Sequence, residues 1–197
     1  MPPRLDITDN LIHFTSANSD DVAYQRLREI VGGRVLIGSG SKIKGGFSCV
    51  CFSEAPLKAL SAGLVNDRGS SRYRPFGIIF DKAWIFAQGG RPVIYQTDEE
   101  YGLLPQELRW RHMRYEPIAA EPIDFTWERE WRINTDGLLF DPSVAGVVVP
   151  NADWAARFEA NFNEEQEIKI QEYAQIFDEL LAHAFQEDYP WRVYKLR

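Results

Sequence analysis

The chain has 197 residues, 45% hydrophobic and 26% charged, with a net charge of −7. This is ordinary globular usage for one domain, or one domain with a helical extension, and it excludes disorder over most of the length. No apolar run approaches the roughly 18 residues of a membrane span, and the opening Met1-Pro-Pro-Arg-Leu-Asp6 lacks the apolar stretch of a secretory leader. A cytoplasmic protein with no membrane partner is therefore expected.

The charge is unevenly spread. Residues 26–82 carry ten Lys/Arg against four Asp/Glu, a net of +6, and residues 151–197 carry five against ten, a net of −5. A basic stretch in an acidic chain marks either a place for a phosphate-bearing ligand or solvated loops beside a neutralising helix.

Leu11 to Thr15 is a short strand-like run, followed by turn and capping residues through Asp20. The spacing of Val22, Ala23, Leu27, Ile30 and Val31 predicts a helix from Asp21 to Val31, capped by Ser19 or Asp20 and stopped by Gly32-Gly33. Residues 37–48 read as a mobile glycine-rich loop. Cys49 to Ser53 reads as a strand, Pro56 to Leu64 as a short helix with proline in its first turn, and residues 65–75 as a basic loop. Phe76–Phe80 and Pro92–Tyr95 read as strands joined by a short helix over Lys82–Ala87, and residues 98–114 as a helix broken at Pro105. Phe125 to Ile133 alternates as a strand: Phe125, Trp127, Arg129, Trp131 and Ile133 lie on one side, Thr126, Glu128, Glu130 and Arg132 on the other. Val144 to Val149 is another strand. From Ala152 the period turns helical, with Trp154, Phe158, Ile168, Tyr173, Ile176, Phe177, Leu180 and Leu181 on an apolar face, and Trp191 to Leu196 is a candidate edge strand. The sum is α+β, a mixed or antiparallel sheet with flanking helices over residues 1–150 and a helical appendix over 151–197 packed on it.

Three groups of residues carry chemistry. Glu128 and Glu130, two apart on one strand face, repel; one is then pushed toward protonation and the pair can divide acid, base and electrostatic work. The other reading is a solvent-facing strand with ion pairs to Arg132. His13, with Thr15 and Asn18 in the turn that follows, can bond ribose or amide oxygens before a helix start, or be structural. Ser53, at the end of its strand, can bond a ligand at the sheet edge; without a Gly-x-Ser-x-Gly elbow it is no hydrolase nucleophile. Lys42, Lys44, Arg68, Arg72 and Arg74 can hold phosphates, and Gly38-Ser-Gly-Ser41 has neither Walker nor Rossmann spacing. Cys49 and Cys51 read as buried reduced thiols, and the three histidines have no metal-ligand spacing.

The order of these motifs resembles the ADP-ribosyltransferase fold. His13-Phe-Thr15 with Asn18, Cys51-Phe-Ser-Glu-Ala-Pro-Leu57, Tyr73-Arg-Pro-Phe-Gly-Ile78, Pro92-Val-Ile-Tyr95 and Trp127-Glu-Arg-Glu-Trp-Arg132 look like bacterial phage-defence families. These are the AbiGi-type abortive-infection proteins and, more distantly, the DarT toxins that ADP-ribosylate DNA. The similarity spans roughly residues 11–135. It implies NAD as substrate, with His13, Thr15, Asn18 and Ser53 facing its nicotinamide and ribose, and Glu130 catalytic with Glu128 the first acid of the pair. Tyr73 or Tyr95 would stack on the nicotinamide. The acceptor would be nucleic acid or protein, with an antitoxin or other partner protein; the alternative is a catalytically silent member that only binds a nucleotide, nucleic acid or a partner protein. The DarT pattern also has an arginine after the first helix, and none lies between Arg34 and Arg68 here.

Overall fold

Alternating apolar residues build the central strands. The strands are β1 (Asn10–Ser16), β2 (Val35–Ile37), β3 (Cys49–Ser53), β4 (Tyr73–Asp81), β5 (Arg91–Pro92), β6 (Ile94–Gln96), β7 (His112–Arg114), β8 (Glu130–Asn134), β9 (Gly137–Leu139), β10 (Ala145–Val149) and β11 (Arg192–Lys195). The helices are α1 (Asp20–Gly33), α2 (Leu57–Ala59), α3 (Lys82–Ala87), α4 (Ala152–Ala174) and α5 (Glu179–His183). They come from a computed structural model that describes residues 7–60 and 73–197. Seven strands form one mixed sheet in the order β11-β10-β4-β1-β3-β8-β5, antiparallel throughout except for β10 beside β11. β2 with β9 and β6 with β7 make two small sheets. The protein is α+β, with several helices around a large mixed sheet.

The sheet has an unequal core on its two faces. On one, Leu11, Phe52, Phe76, Ile78, Phe80, Trp131 and Val147 form the larger cluster. α1 covers it through Ala23, Tyr24, Leu27 and Val31, one face of a helix at three- and four-residue spacing, and α4 adds Trp154 and Phe158. On the other face, Ile12, Phe14, Ile79 and Val148 form a smaller cluster with Ala55 and Leu60. That second face is the one left open for a site.

Several expected elements differ. α1 runs on through Gly32 and Gly33, and Arg34 closes it in the left-handed conformation (φ 50°, ψ 36°). Its start is as expected: the Ser19 hydroxyl accepts from the Val22 N–H. Pro92–Tyr95 divides into β5 and β6 in different sheets. Residues 98–114 are two 3-10 turns, Glu100–Leu103 and Gln106–Arg111, followed by β7; Gly102 and Pro105 interrupt the segment before an α-helix can propagate. Tyr73 and Arg74 belong to β4, and residues 61–64 of the expected Pro56–Leu64 helix, with Arg68 and Arg72, lie outside the described residues. The Gly38 loop is pinned at both ends, Gly38 N–H to Asp136 at 2.9 Å and Ser39 N–H to Cys49 at 2.9 Å.

The C-terminal segment is both helix and sheet. α4 is docked by Tyr24 Oη donating to Asn161 Oδ1 at 2.7 Å, by Arg157 pairing with Asp21 at 2.9 Å and by Arg28 pairing with Glu165. Ile168 on α4, Ile176 and Phe177 after it and Leu181 on α5 are exposed, while Tyr173, Phe177 and Phe185 pack on one another. β11 then returns the chain to the sheet edge, parallel to β10. Among the described residues no helix is long and apolar enough to cross a membrane.

Candidate functional site

β1 and β3 pair at a single register, Ile12 with Ser53, and part from there. His13 bridges the gap: its Nδ1 lies 2.8 Å from the Cys51 carbonyl oxygen. A carbonyl only accepts, so Nδ1 carries the proton. Burial lowers the His13 pKa, which keeps the ring neutral and leaves Nε2 with its lone pair as an acceptor. On the other side of β1, a Cβ on Gly77 would sit 2.4 Å from the His13 carbonyl oxygen, so β4 can approach this strand only with glycine there.

β3 and β8 pair Ser53 with Glu130 and Cys51 with Arg132, and residues opposite one another across antiparallel strands share a face. All four sit on the face with the smaller core. Glu130 is 6% and Arg132 2% exposed. Arg132 Nε donates to Glu130 Oε1 at 2.7 Å, and its Nη1 donates to the carbonyls of Trp110 at 3.0 Å and His112 at 2.7 Å. Burial first, then the Glu130 carboxylate, push the Cys51 thiol up; it stays protonated and hydrogen-bonds Glu130.

Glu128 is not on this strand. The continuous Phe125–Ile133 strand expected from the alternation is broken: Thr126–Glu128 is a 3-10 turn, Arg129 is left-handed (φ 46°, ψ 52°), and β8 starts only at Glu130. Asp124 opens the turn by accepting from Thr126 N–H at 2.9 Å and Thr126 Oγ1 at 2.6 Å. Trp127 is accordingly not a core anchor but 39% exposed. Trp131 is buried, its Nε1 donating to Glu54 Oε2 at 2.7 Å.

The two carboxylates nevertheless meet, in the common wall of two cavities. One, about 70 Å³, is lined by Ile12, Phe14 and Phe52 with His13, Ser53 and Trp127; the other, about 400 Å³, by Lys42, Lys44, His112, Arg114, Phe125 and Arg132. Cys51, Tyr73, Glu128 and Glu130 border both. Burial, and then the charge of Glu130, push the Glu128 carboxyl up to about 7, against the pull of Lys42 and Arg132. An acid at that value can give or take a proton at neutral pH. Tyr73 is pushed up by burial and then by the two glutamates, so it faces the cavities as a neutral phenol.

The lowered acidity of Glu128 has a signed consequence for stability. Its folded value lies above the ordinary 4.5, so between the two the folded state holds a proton that the unfolded chain has lost. Stability should fall as pH rises from about 4.5 to about 7 and level off above. Chemical denaturation across that range should show this slope in the native protein and lose that part of it in Glu128→Gln. An identical slope in both proteins would contradict the assignment.

The other expected site residues divide. Ser53 borders the smaller cavity, but its hydroxyl donates to the Glu128 carbonyl at 2.9 Å and accepts from Ala55 N–H at 3.2 Å. Thr15 is buried, its hydroxyl donating to the Phe76 carbonyl at 3.1 Å, and Asn18 is exposed in the turn before α1; neither borders either cavity. Tyr95 is not in the wall of either cavity. Arg74 is spent on the same turn, bonding the Asn18 carbonyl at 2.7 Å and Asp20 at 3.3 Å, and Lys44 pairs with Asp98 at 2.7 Å. Lys42 is exposed at the rim of the larger cavity, near enough to act on Glu128. Sequence reasoning did not find His112 or Phe125 at the site. His112 donates from Nε2 to the Thr97 carbonyl at 3.1 Å while its own carbonyl takes Arg132, a long-range pairing with no local signal. No family model, no curated protein and no solved structure matches the chain.

Proposed function

We propose that the protein is an NAD-dependent ADP-ribosyltransferase on an ADP-ribosyltransferase-like fold, a toxin or phage-defence effector whose acceptor is nucleic acid or protein. One observation carries the reading: two carboxylates in unequal environments stand where β1 and β3 part, with a neutral histidine in the gap. In the reaction the nicotinamide–ribose C–N bond breaks, its electron pair leaving with nicotinamide, and positive charge develops on the ribose. Glu130, anionic and held by Arg132, faces that charge. Glu128 takes the proton of the acceptor as the new glycosidic bond forms. His13 Nε2 can accept from a ribose hydroxyl. The cavities set a requirement on the fit. The apolar one, at about 70 Å³, is smaller than the roughly 150 Å³ that accepts a benzene ring, so NAD needs both compartments and passes the Glu128–Glu130 wall. Lys42 at the rim is suited to the pyrophosphate.

A second reading, a binding module without turnover, is favoured by one feature: Arg132 already opposes the Glu130 charge that would stabilise the cation. Labelled NAD separates the two. Incubated with the protein and a cell extract, it should release nicotinamide and label one macromolecular fraction, and calorimetry should register both NAD and ADP-ribose. Binding without nicotinamide release would establish a nucleotide-binding module; no binding of either ligand would end the transferase reading and favour a silent module for nucleic acid or a partner protein.

A further inference from the structure

We infer that Tyr95 is a positioning residue whose single hydroxyl closes the turn that presents Glu128. The turn starts from Phe125, which caps Thr126–Glu128, and enters β8 at Glu130, with a left-handed residue, Arg129, between. Tyr95 lies on β6, outside both strands that flank the site. Its hydroxyl donates to the Phe125 carbonyl and accepts from the Glu130 N–H, each at 3.3 Å. One atom thus ties the first residue of the turn to the last, and both carboxylates hang from the segment between. The ring packs edge-on against Tyr115, at 6.4 Å between centroids, which fixes the phenol from behind. Burial raises the Tyr95 pKa, so the hydroxyl keeps the proton it donates.

The turn is also held from within, by Glu128 N–H on the Phe125 carbonyl at 3.0 Å, Arg129 N–H on the Thr126 carbonyl at 3.2 Å and the Asp124 bonds to Thr126, and from the end of β3, where Ser53 Oγ and Glu54 N–H bond the Glu128 carbonyl at 2.9 and 3.2 Å. Those fix the Glu128 backbone. Without the Tyr95 hydroxyl, the Phe125 carbonyl and Glu130 N–H lose this mutual partner, the turn can open, and water reaches the Glu128 carboxylate. The charged and titratable groups around that carboxylate are Glu130 and Arg132 on β8, Lys42 after β2, Tyr73 on β4 and Cys51 on β3, with Lys44, Asp98, His112 and Arg114 across the larger cavity and His13 across the smaller. None of them is altered when only the Tyr95 hydroxyl is removed, so a change in Glu128 reports the turn. The catalytic consequence rests on the transferase reading; the positioning does not.

Tyr95→Phe keeps the ring and removes the hydroxyl. Carbon-13 NMR of side-chain carboxyls, with Glu128→Gln assigning the resonance, should give a Glu128 titration near 7 in the native protein. In Tyr95→Phe it should fall by about one unit or more toward the ordinary value as water enters. Acceptor labelling should drop about 3- to 10-fold in kcat, the worth of lost neutral hydrogen bonds, with nicotinamide release less affected and KM for NAD within about 2-fold. An unchanged Glu128 titration in Tyr95→Phe overturns the positioning role. A shifted titration in a protein that never turns over NAD sustains it and rejects the transferase reading instead. Should Tyr95→Phe fail to fold, the Glu130 amide in the native protein decides. Exchange as slow as that of interior sheet amides supports the hydroxyl as its acceptor, and exchange at the rate of an open turn overturns it.

Discussion

Glu130→Gln should abolish nicotinamide release and transfer together, by about 10²–10³-fold, whereas Glu128→Gln should spare some of the cleavage and weaken transfer. In the proposed transferase both reactions share one glycosidic bond breakage, and the buried carboxylate of the Glu130–Arg132 pair is the group assigned to the developing cation. Glu128 differs in kind. It sits on a turn in the common wall of the two cavities, and its carboxyl is pushed up to about 7. As the acceptor's base it must be ionised, so native transfer should rise with pH through about 7 and level off above. Glutamine cannot take a proton, so the transfer left in Glu128→Gln should show no rise there, while water, needing less activation, still captures some ribosyl cation. Initial rates of nicotinamide release and acceptor labelling between pH 5.5 and 8.5, in the three proteins, measure both effects. Equal and complete loss of both reactions in both variants would reject the division of roles. A native profile flat through 7 would reject Glu128 as the base.

The parts of this architecture that were legible are those in which local pattern and burial agree. Leu11–Thr15, Cys49–Ser53, Phe76–Phe80 and Val144–Val149 alternate or run apolar because they cross the middle of the sheet, and all four are strands. α1 announces itself by a serine cap and four buried residues at helical spacing. The Glu-x-Glu turn was misread for a physical reason. Phe125, Trp127, Trp131 and Ile133 satisfy a period of two, and nothing marks Arg129 as left-handed, since glycine and asparagine are the usual occupants of that region. The chain breaks there because Phe125 and Trp127, 44% and 39% exposed, stay at the rim of the cavities instead of entering a core. Glu128 and Glu130 were still read as neighbours, through a strand geometry that the turn replaces. Thr15, Asn18 and Arg74 resemble ligand groups because their order is all a sequence offers; Thr15 donates instead to the Phe76 carbonyl, and Arg74 to the Asn18 carbonyl and Asp20. The edge strand expected over Trp191–Leu196 is β11, but its parallel pairing with β10, and the three-residue strands β2 and β9, depend on contacts between segments distant in the chain, which no local period announces.

Arg132→Met should be the most destabilising single change at the site, by about 3–5 kcal/mol, or roughly 6–20 °C in Tm for a chain of this size. The reason is what it leaves behind. Glu130 stays buried with its cation gone, and the carbonyls of Trp110 and His112 lose the guanidinium that bonds them. Met fills much of the same space, so a cavity is not the cause. Removing both charges separates the interaction from its burial cost: Glu130→Met with Arg132→Met should recover much of the loss, because an apolar pair of similar volume replaces a desolvated ion pair. The double variant should also be without NAD turnover, since it lacks the anion. Stability and activity would then part company at one pair of residues, the expected behaviour of a buried charge retained for chemistry. Urea denaturation of the native protein, the single and the double variant gives the three values needed. A single variant within about 1 kcal/mol of native would mean that water already reaches Glu130. A double variant as unstable as the single would mean that the two carbonyls, and not the stranded carboxylate, account for the loss.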